Sequence, residues 1–225
     1  MNNGFRAIYD RYPWDEVCAR INAMTISDVE MALTKEGNGT PEDFMALVSP
    51  AAEKKLEEMA QLSMQLTLKR FGKVMQLYLP LYLSNECQNI CTYCGFSFDN
   101  KIARLTLNEE QVLREVEVIK AFGYDHILQV SGEANQTVGT DYFERMVRLI
   151  RPYFSSVMLE VQPLEMEEYQ RLIDAGVSTV LIYQETYHEA HYRLYHQKGK
   201  KSNFNYRLQT PERLGNAGVH RIGLG

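Results

Sequence analysis

No stretch of the 225 residues approaches the roughly 18 consecutive apolar residues that a bilayer-spanning helix needs, and the opening MNNGFRAIYDRYPWDEV lacks the apolar core of a signal peptide. A basic excess is missing as well. Lys and Arg number 24 against 29 Asp and Glu, a formal net charge of −5 that leaves no electrostatic footprint for nucleic acid. Four cysteines are too few for a disulfide scaffold in a chain of this size. These absences set the expectation of a soluble, cytoplasmic protein with reduced thiols and with neither a membrane nor a nucleic-acid partner. What remains is an ordinary globular composition, 45% hydrophobic and 24% charged, long enough for one large or two small domains.

The pattern divides the chain near residue 75. Residues 1–75 read as a helical segment. In TPEDFMALVS, Thr40 is the expected N-cap, with Pro41 at the first helical position and Asp43 in the first turn. A second helix is expected between Ser49-Pro50 and Gly72, with Leu56, Met59, Met64 and Leu66 as its packing stripe. From residue 76 the period changes. Five short apolar runs, at about 77–84, 126–131, 156–161, 178–183 and 219–224, alternate with amphipathic helices. One of those helices opens on an expected capping box of Thr106 and Glu109 and stops at Gly123. Strands alternating with helices predict an α/β fold with a parallel sheet and right-handed crossovers, either doubly wound or a (β/α) barrel. The fifth strand ends at Gly225 with no helix to cover it, and a complete barrel takes about 250 residues. The expectation is therefore a core cut after its fifth strand, inactive and aggregation-prone as an isolated piece.

Three of the four cysteines crowd into NECQNICTYCGFSF, directly after the first strand. Loops at the C-terminal ends of parallel strands are where such folds hold their active sites. Cys87, Cys91 and Cys94 can hold three corners of a [4Fe–4S] cube and leave one iron open to a substrate or cosubstrate. The rival is structural zinc, a binding module rather than an enzyme. It would need a fourth ligand such as His126 or His188, and the chain has one Cys-x2-Cys knuckle where such sites usually pair two. His191, His196 and His220 show no metal-ligand spacing, and Cys18 reads as a buried thiol.

Cys87-x3-Cys91-x2-Cys94, with Tyr93 before the last cysteine, resembles the signature of the radical S-adenosylmethionine (SAM) superfamily. The longer strings PLYLSNECQNICTYCGFSFDNKIARLTL, VSGEANQTVGTDYF, LIYQETYHEAHYRLYHQKGKKSNF and RLQTPERLGNAGVHRIGLG resemble the ThiH-type tyrosine lyases, the 2-iminoacetate synthases of thiazole biosynthesis, over nearly the whole chain. The resemblance implies a radical SAM (β/α) barrel in which SAM chelates the fourth iron and an electron from the reduced cluster releases an adenosyl radical. It further implies cleavage of the Cα–Cβ bond of L-tyrosine to 2-iminoacetate and p-cresol, with thiazole synthase ThiG and a flavodoxin-type electron donor as partners. A HydG-like lyase of hydrogenase cofactor assembly is the related alternative, distinguished by a C-terminal extension with a second cluster.

The same resemblance makes Cys87, Cys91 and Cys94 the iron ligands and places Gly132 and Glu133 in a motif that binds the SAM amino group. The glycine would let backbone approach the ligand, and the carboxylate would accept from an ammonium. Glu160 and Glu185, at the ends of the third and fourth strands, could hold ribose hydroxyls or the methionyl group; Gln162 and Gln184 read equally as solvated strand ends. Gly223 resembles a fifth-strand motif that approaches adenine, and Tyr93 and Phe96 could face the same ring or belong to the core. Lys198, Lys200 and Lys201 read as a solvated basic loop. Arg207 is the residue best suited to a ligand carboxylate, because its planar fork can bind one bidentately.

Overall fold

The computed structural model describes residues 4–225. It divides into two compact units, Ala7–Met75 and a second formed by residues 4–6 with Gln76–Gly225.

The smaller unit is helical. Thr40 caps the helix Pro41–Leu47 through a full capping box with Asp43, as its sequence predicts. Ser49-Pro50 opens a 3-10 turn, Pro50–Lys55, that runs into the helix Leu56–Phe71. Val29, Ala32, Ala46 and Ala52 form the core, with Met59 packed on it. The expected stripe is only partly buried: Leu56 and Met64 stay 60% and 51% exposed, while Met59 and Leu66 turn inward. All four lie in one α-helix, whose 3.6-residue turn sets Met59 and Leu66 on one side and swings Leu56 and Met64 away from it. Cys18 is half-exposed rather than buried.

Among its described residues the larger unit holds seven strands: β1 (Leu79–Ser84), β2 (Ile90–Cys91), β3 (His126–Ser131), β4 (Ser156–Glu160), β5 (Val177–Ile182), β6 (His196–Lys198) and β7 (Arg221–Leu224). Five make one parallel sheet in the order β1-β3-β4-β5-β7, and β2 pairs antiparallel with β6. Each main strand lies beside the next in sequence, with no reversal of order. That excludes a doubly wound sheet, whose order must switch direction, and leaves the winding of a (β/α) barrel. The strands match the apolar runs read from sequence to within two residues. The β2–β6 pair has no apolar pattern and was not predicted.

The alternation of each strand divides its side chains between two faces. Leu81, Leu83, Ile127, Val157, Leu159, Val180 and Ile182 pack under the helices, where Phe143, Met146 and Leu172 complete the core. Leu128, Val130, Met158 and Leu181 cluster on the other face. The register between β1 and β3 shifts between Tyr82 and Ser84. Such an irregularity re-aims the chain, and here it falls just before the cysteine loop.

The helix Glu109–Ala121 corrects one expectation. Its cap is Asn108, paired with Gln111, rather than Thr106 with Glu109. Thr106 is engaged elsewhere: its hydroxyl lies 2.8 Å from that of Ser84, and the two residues form an isolated antiparallel bridge. Asn108→Ala should therefore destabilise the chain by about 1 kcal/mol in a denaturant melt, with Thr106→Ala leaving the helix cap untouched.

Candidate functional site

The loops after β1, β3, β4 and β5 enclose a cavity of about 230 Å³. Cys87, Cys91 and Cys94 line it together with Tyr93, Phe96, Gly132, Glu133, Glu160, Glu185 and Arg207. Ten of the eleven site residues expected from sequence thus meet in one place. Gly223 does not. A Cβ there would meet the Leu181 side chain at 2.9 Å, so the residue is small to let β7 pack beside β5. Gln162 and Gln184 are buried and structural. The amide of Gln162 donates to the Val138 carbonyl at 2.7 Å, and that of Gln184 to the Phe204 carbonyl at 3.4 Å.

The cysteine loop is held on three sides. From within, Arg104 donates to four backbone carbonyls, those of Asn85 (2.6 Å), Phe96 (2.9 Å), Ser97 (2.7 Å) and Asn100 (3.4 Å), and so ties the entry of the loop to its exit. A glutamine has neither the reach nor the donors to replace this fork. Arg104→Gln should lower the iron bound per chain after anaerobic reconstitution and raise hydrogen exchange of residues 85–100, with the far helices unchanged.

From the β3 side, Gly132 N–H donates to the Ser84 carbonyl at 3.0 Å and Gln88 N–H to the Glu133 carbonyl at 2.9 Å. A Cβ at Gly132 would collide with the Glu86 carbonyl oxygen and come within 3.2 Å of the Cys87 Cβ. The glycine therefore admits the cysteine loop, and it also lines the cavity. From the third side, β2 pairs with β6, and Thr92 N–H donates to the Tyr195 carbonyl at 3.0 Å. Gly199, at φ 88°, sits where a side chain would strike Asn89.

The electrostatics are concentrated on one buried pair. Arg207 Nη1 lies 2.6 Å from Glu133 Oε1, with side chains 7% and 11% exposed, and Arg207 Nε donates to the Tyr183 carbonyl at 2.6 Å. Burial alone would raise the Glu133 carboxyl, but Arg207, Lys201 and the Asn89 amide together hold it below the usual carboxylate range. Glu160 is displaced the other way, upward, by burial and then by the neighbouring Glu185. Glu185 occupies the left-handed region at φ 71°, costly for a residue with a side chain, and Lys201 Nζ reaches its Oε1 at 2.8 Å. Lys198 and Lys200 are exposed as expected, whereas Lys201 turns into the cavity.

His196, which showed no function in the sequence, is fully enclosed beside the loop. Its Nδ1 lies 2.9 Å from the Tyr192 carbonyl, an acceptor only, so Nδ1 carries the proton and Nε2 accepts from the Tyr93 hydroxyl at 2.8 Å. Burial lowers its tendency to protonate and so keeps the ring neutral. Asn89, His196, Gly199 and Arg104 are the residues that motif reading missed, and Lys201 stood out only as one cation of a basic loop. Only Gly199, a glycine amid lysines, gave a local hint.

The donor set fits an iron–sulfur cluster better than zinc. Burial, aided by the neighbouring Cys87 and Cys94, pushes the Cys91 thiol up to about 11 against the pull of Lys201, so ligation there must displace a proton. Among the described residues no three His, Cys, Asp or Glu side chains converge on a single ion. Thiolates that bind different irons of a cluster stand farther apart than ligands of one ion. His126 starts β3, at the end of the sheet opposite the loop, where its Nδ1 lies 3.2 Å from the Ser155 hydroxyl. His188 accepts from His191 N–H at 3.1 Å and stacks on that ring at 3.8 Å. His126 cannot complete a zinc site.

Parallel strands wound in sequence, with a three-thiol loop at their C-terminal ends, define a barrel-type fold that offers three thiols to a metal centre. The Radical SAM superfamily pattern matches residues 81–225, and the chain belongs to that superfamily. It is 51% identical over 212 residues to the 2-iminoacetate synthase of Escherichia coli (strain K12) and equally to that of Salmonella typhimurium, covering 94% of this chain and 56% of each relative. The chain thus spans little more than half the length of these relatives. Among solved structures it resembles HydG, a maturase of the [FeFe]-hydrogenase, with TM-score 0.90 and 28% identity over 96% of this chain and 50% of that one. Methylornithine synthase (PylB) shares the fold, with TM-score 0.73 and 21% identity over 86% of this chain and 58% of that one.

Proposed function

We propose that this chain is the cluster-binding part of a radical SAM lyase that cleaves the Cα–Cβ bond of L-tyrosine, giving 2-iminoacetate for thiazole assembly and p-cresol. The observation that carries the reading is the shared cavity: three cysteines and the Glu133–Arg207 pair face one another across it. The 51% identity to 2-iminoacetate synthases, against 28% to HydG, favours the thiazole role over hydrogenase maturation.

Cys87, Cys91 and Cys94 would hold a [4Fe–4S] cluster, and SAM would bind beside it. Together, when bound, they supply the one-electron chemistry that the side chains cannot. The residues of the chain position and shield. Glu133 would accept from the SAM ammonium with the lone pairs that Asn89 and Arg207 leave. Arg207 would meet a ligand carboxylate while its charge stays balanced by Glu133. Glu160 and Glu185 face the same space for hydroxyl or methionyl contacts, and Tyr93 and Phe96 wall it for the adenine. ThiG would take the unstable imine, and a flavodoxin-type donor would deliver the electron, in the cytoplasm. No helix of the described residues is long and apolar enough to cross a membrane.

The test is to reconstitute the full-length protein anaerobically and supply dithionite, SAM and L-tyrosine. Both 5′-deoxyadenosine and p-cresol are expected. Deoxyadenosine without p-cresol would keep the superfamily and remove the substrate.

A further inference from the structure

Asn89, whose amide occupies one oxygen of Glu133, lies between two of the three cysteines and is 2% exposed. Three of its polar atoms are each committed to a different segment. Its backbone carbonyl accepts from Phe98 N–H at 2.8 Å, within the cysteine loop. Its Oδ1 accepts from Lys201 N–H at 3.1 Å, and its Nδ2 donates to Glu133 Oε2 at 2.8 Å. The orientation of the amide is set by chemistry, since a backbone N–H must meet the oxygen and a carboxylate must meet the NH2. Glu133 then passes the connection to Arg207 through its other oxygen. The cysteine loop, the loop after β3 and the basic loop at 199–207 therefore meet at one side chain. Gly199 is flattened against the same residue.

We infer that Asn89 is a positioning residue that couples the cysteine loop to the Glu133–Arg207 pair, so that the geometry of the cluster site and the affinity for the sulfonium cosubstrate are linked. This rests on the cluster-and-SAM reading of the cavity. A buried amide that donates to a carboxylate fixes which lone pairs remain for an incoming ammonium. The same amide, braced by Lys201, fixes the backbone between Cys87 and Cys91. Coupling of this kind is reciprocal in binding free energy.

Asn89→Asp separates the two connections. It keeps size and an acceptor for Lys201 N–H, but removes the donor to Glu133 and sets a second carboxylate against it. Asn89→Ala removes both, and Asn89→Ser serves as the smaller perturbation if either fails to melt cooperatively. In the metal-free full-length protein, hydrogen exchange should rise in Asn89→Ala both at 85–100 and at 199–207. A rise at 85–100 alone would make Asn89 a local loop residue and overturn the coupling. In the reconstituted protein, Asn89→Asp should keep its iron content but bind SAM about tenfold or more weakly. Binding is read as the change SAM makes in the electron paramagnetic resonance of the reduced cluster. Affinity within about twofold of wild type overturns the inference alone. A wild-type protein that takes up its cluster yet shows no SAM-dependent change overturns the reading beneath it as well.

Discussion

Gly132→Val is expected to abolish cluster uptake. The residue has no left-handed backbone to preserve; its requirement is for space. A Cβ there meets the Glu86 carbonyl oxygen and, at 3.0 Å, the Glu86 carbonyl carbon, both main-chain atoms that cannot swing aside as a side chain could. The segment that must give way is the one that places Cys87. Overpacking of this kind costs about 1–3 kcal/mol in stability, but iron binding should suffer more, because displacing one of three ligands removes the site's geometry. Gly132→Ala should fall between valine and wild type. Iron and sulfide per chain, set against the melting curve, separate the two effects. Full iron content in Gly132→Val would show that the loop does not need this approach.

The second large effect is expected at the buried pair. Arg207→Met should destabilise the protein by about 3–5 kcal/mol, because it leaves the Glu133 carboxylate buried with its strongest partner gone. The double variant Arg207→Met/Glu133→Gln should recover part of that loss by removing the orphaned charge. The pair also sets a pH dependence. Glu133 titrates below its ordinary value of 4.5 in the folded protein. Its contribution is therefore complete above pH 4.5 and disappears as the pH falls through the lower folded value. A stability profile of Glu133→Gln should be flatter than wild type on that acid side. Equal slopes would show that the pair carries no such linkage.

The sequence was legible where local chemistry decides the outcome. The five sheet strands stood out because strands covered by helices are apolar along their length. Thr40 could be read as a cap because nothing competes for its hydroxyl, whereas Thr106 could not, because Ser84, 22 residues away, claims it. The order of strands was not legible, since periodicity is the same for a doubly wound sheet and a barrel. In the site, the three cysteines and Gly-Glu lie in short recognisable strings. Asn89 and Lys201 are 112 residues apart and carry no motif of their own. Gly132 shows a subtler limit: its place in the site was readable, but the backbone atom it makes room for emerges only when β1 and β3 pair.

The species that the three thiols bind decides between a radical enzyme and a zinc module most directly. Anaerobic reconstitution, with iron, sulfide and zinc counted per chain and spectra recorded with and without SAM, tests it. About four irons per chain, and a change in the spectrum of the reduced cluster when SAM is added, are the expected result. One zinc per chain, with no iron–sulfur absorbance and no response to SAM, would contradict it.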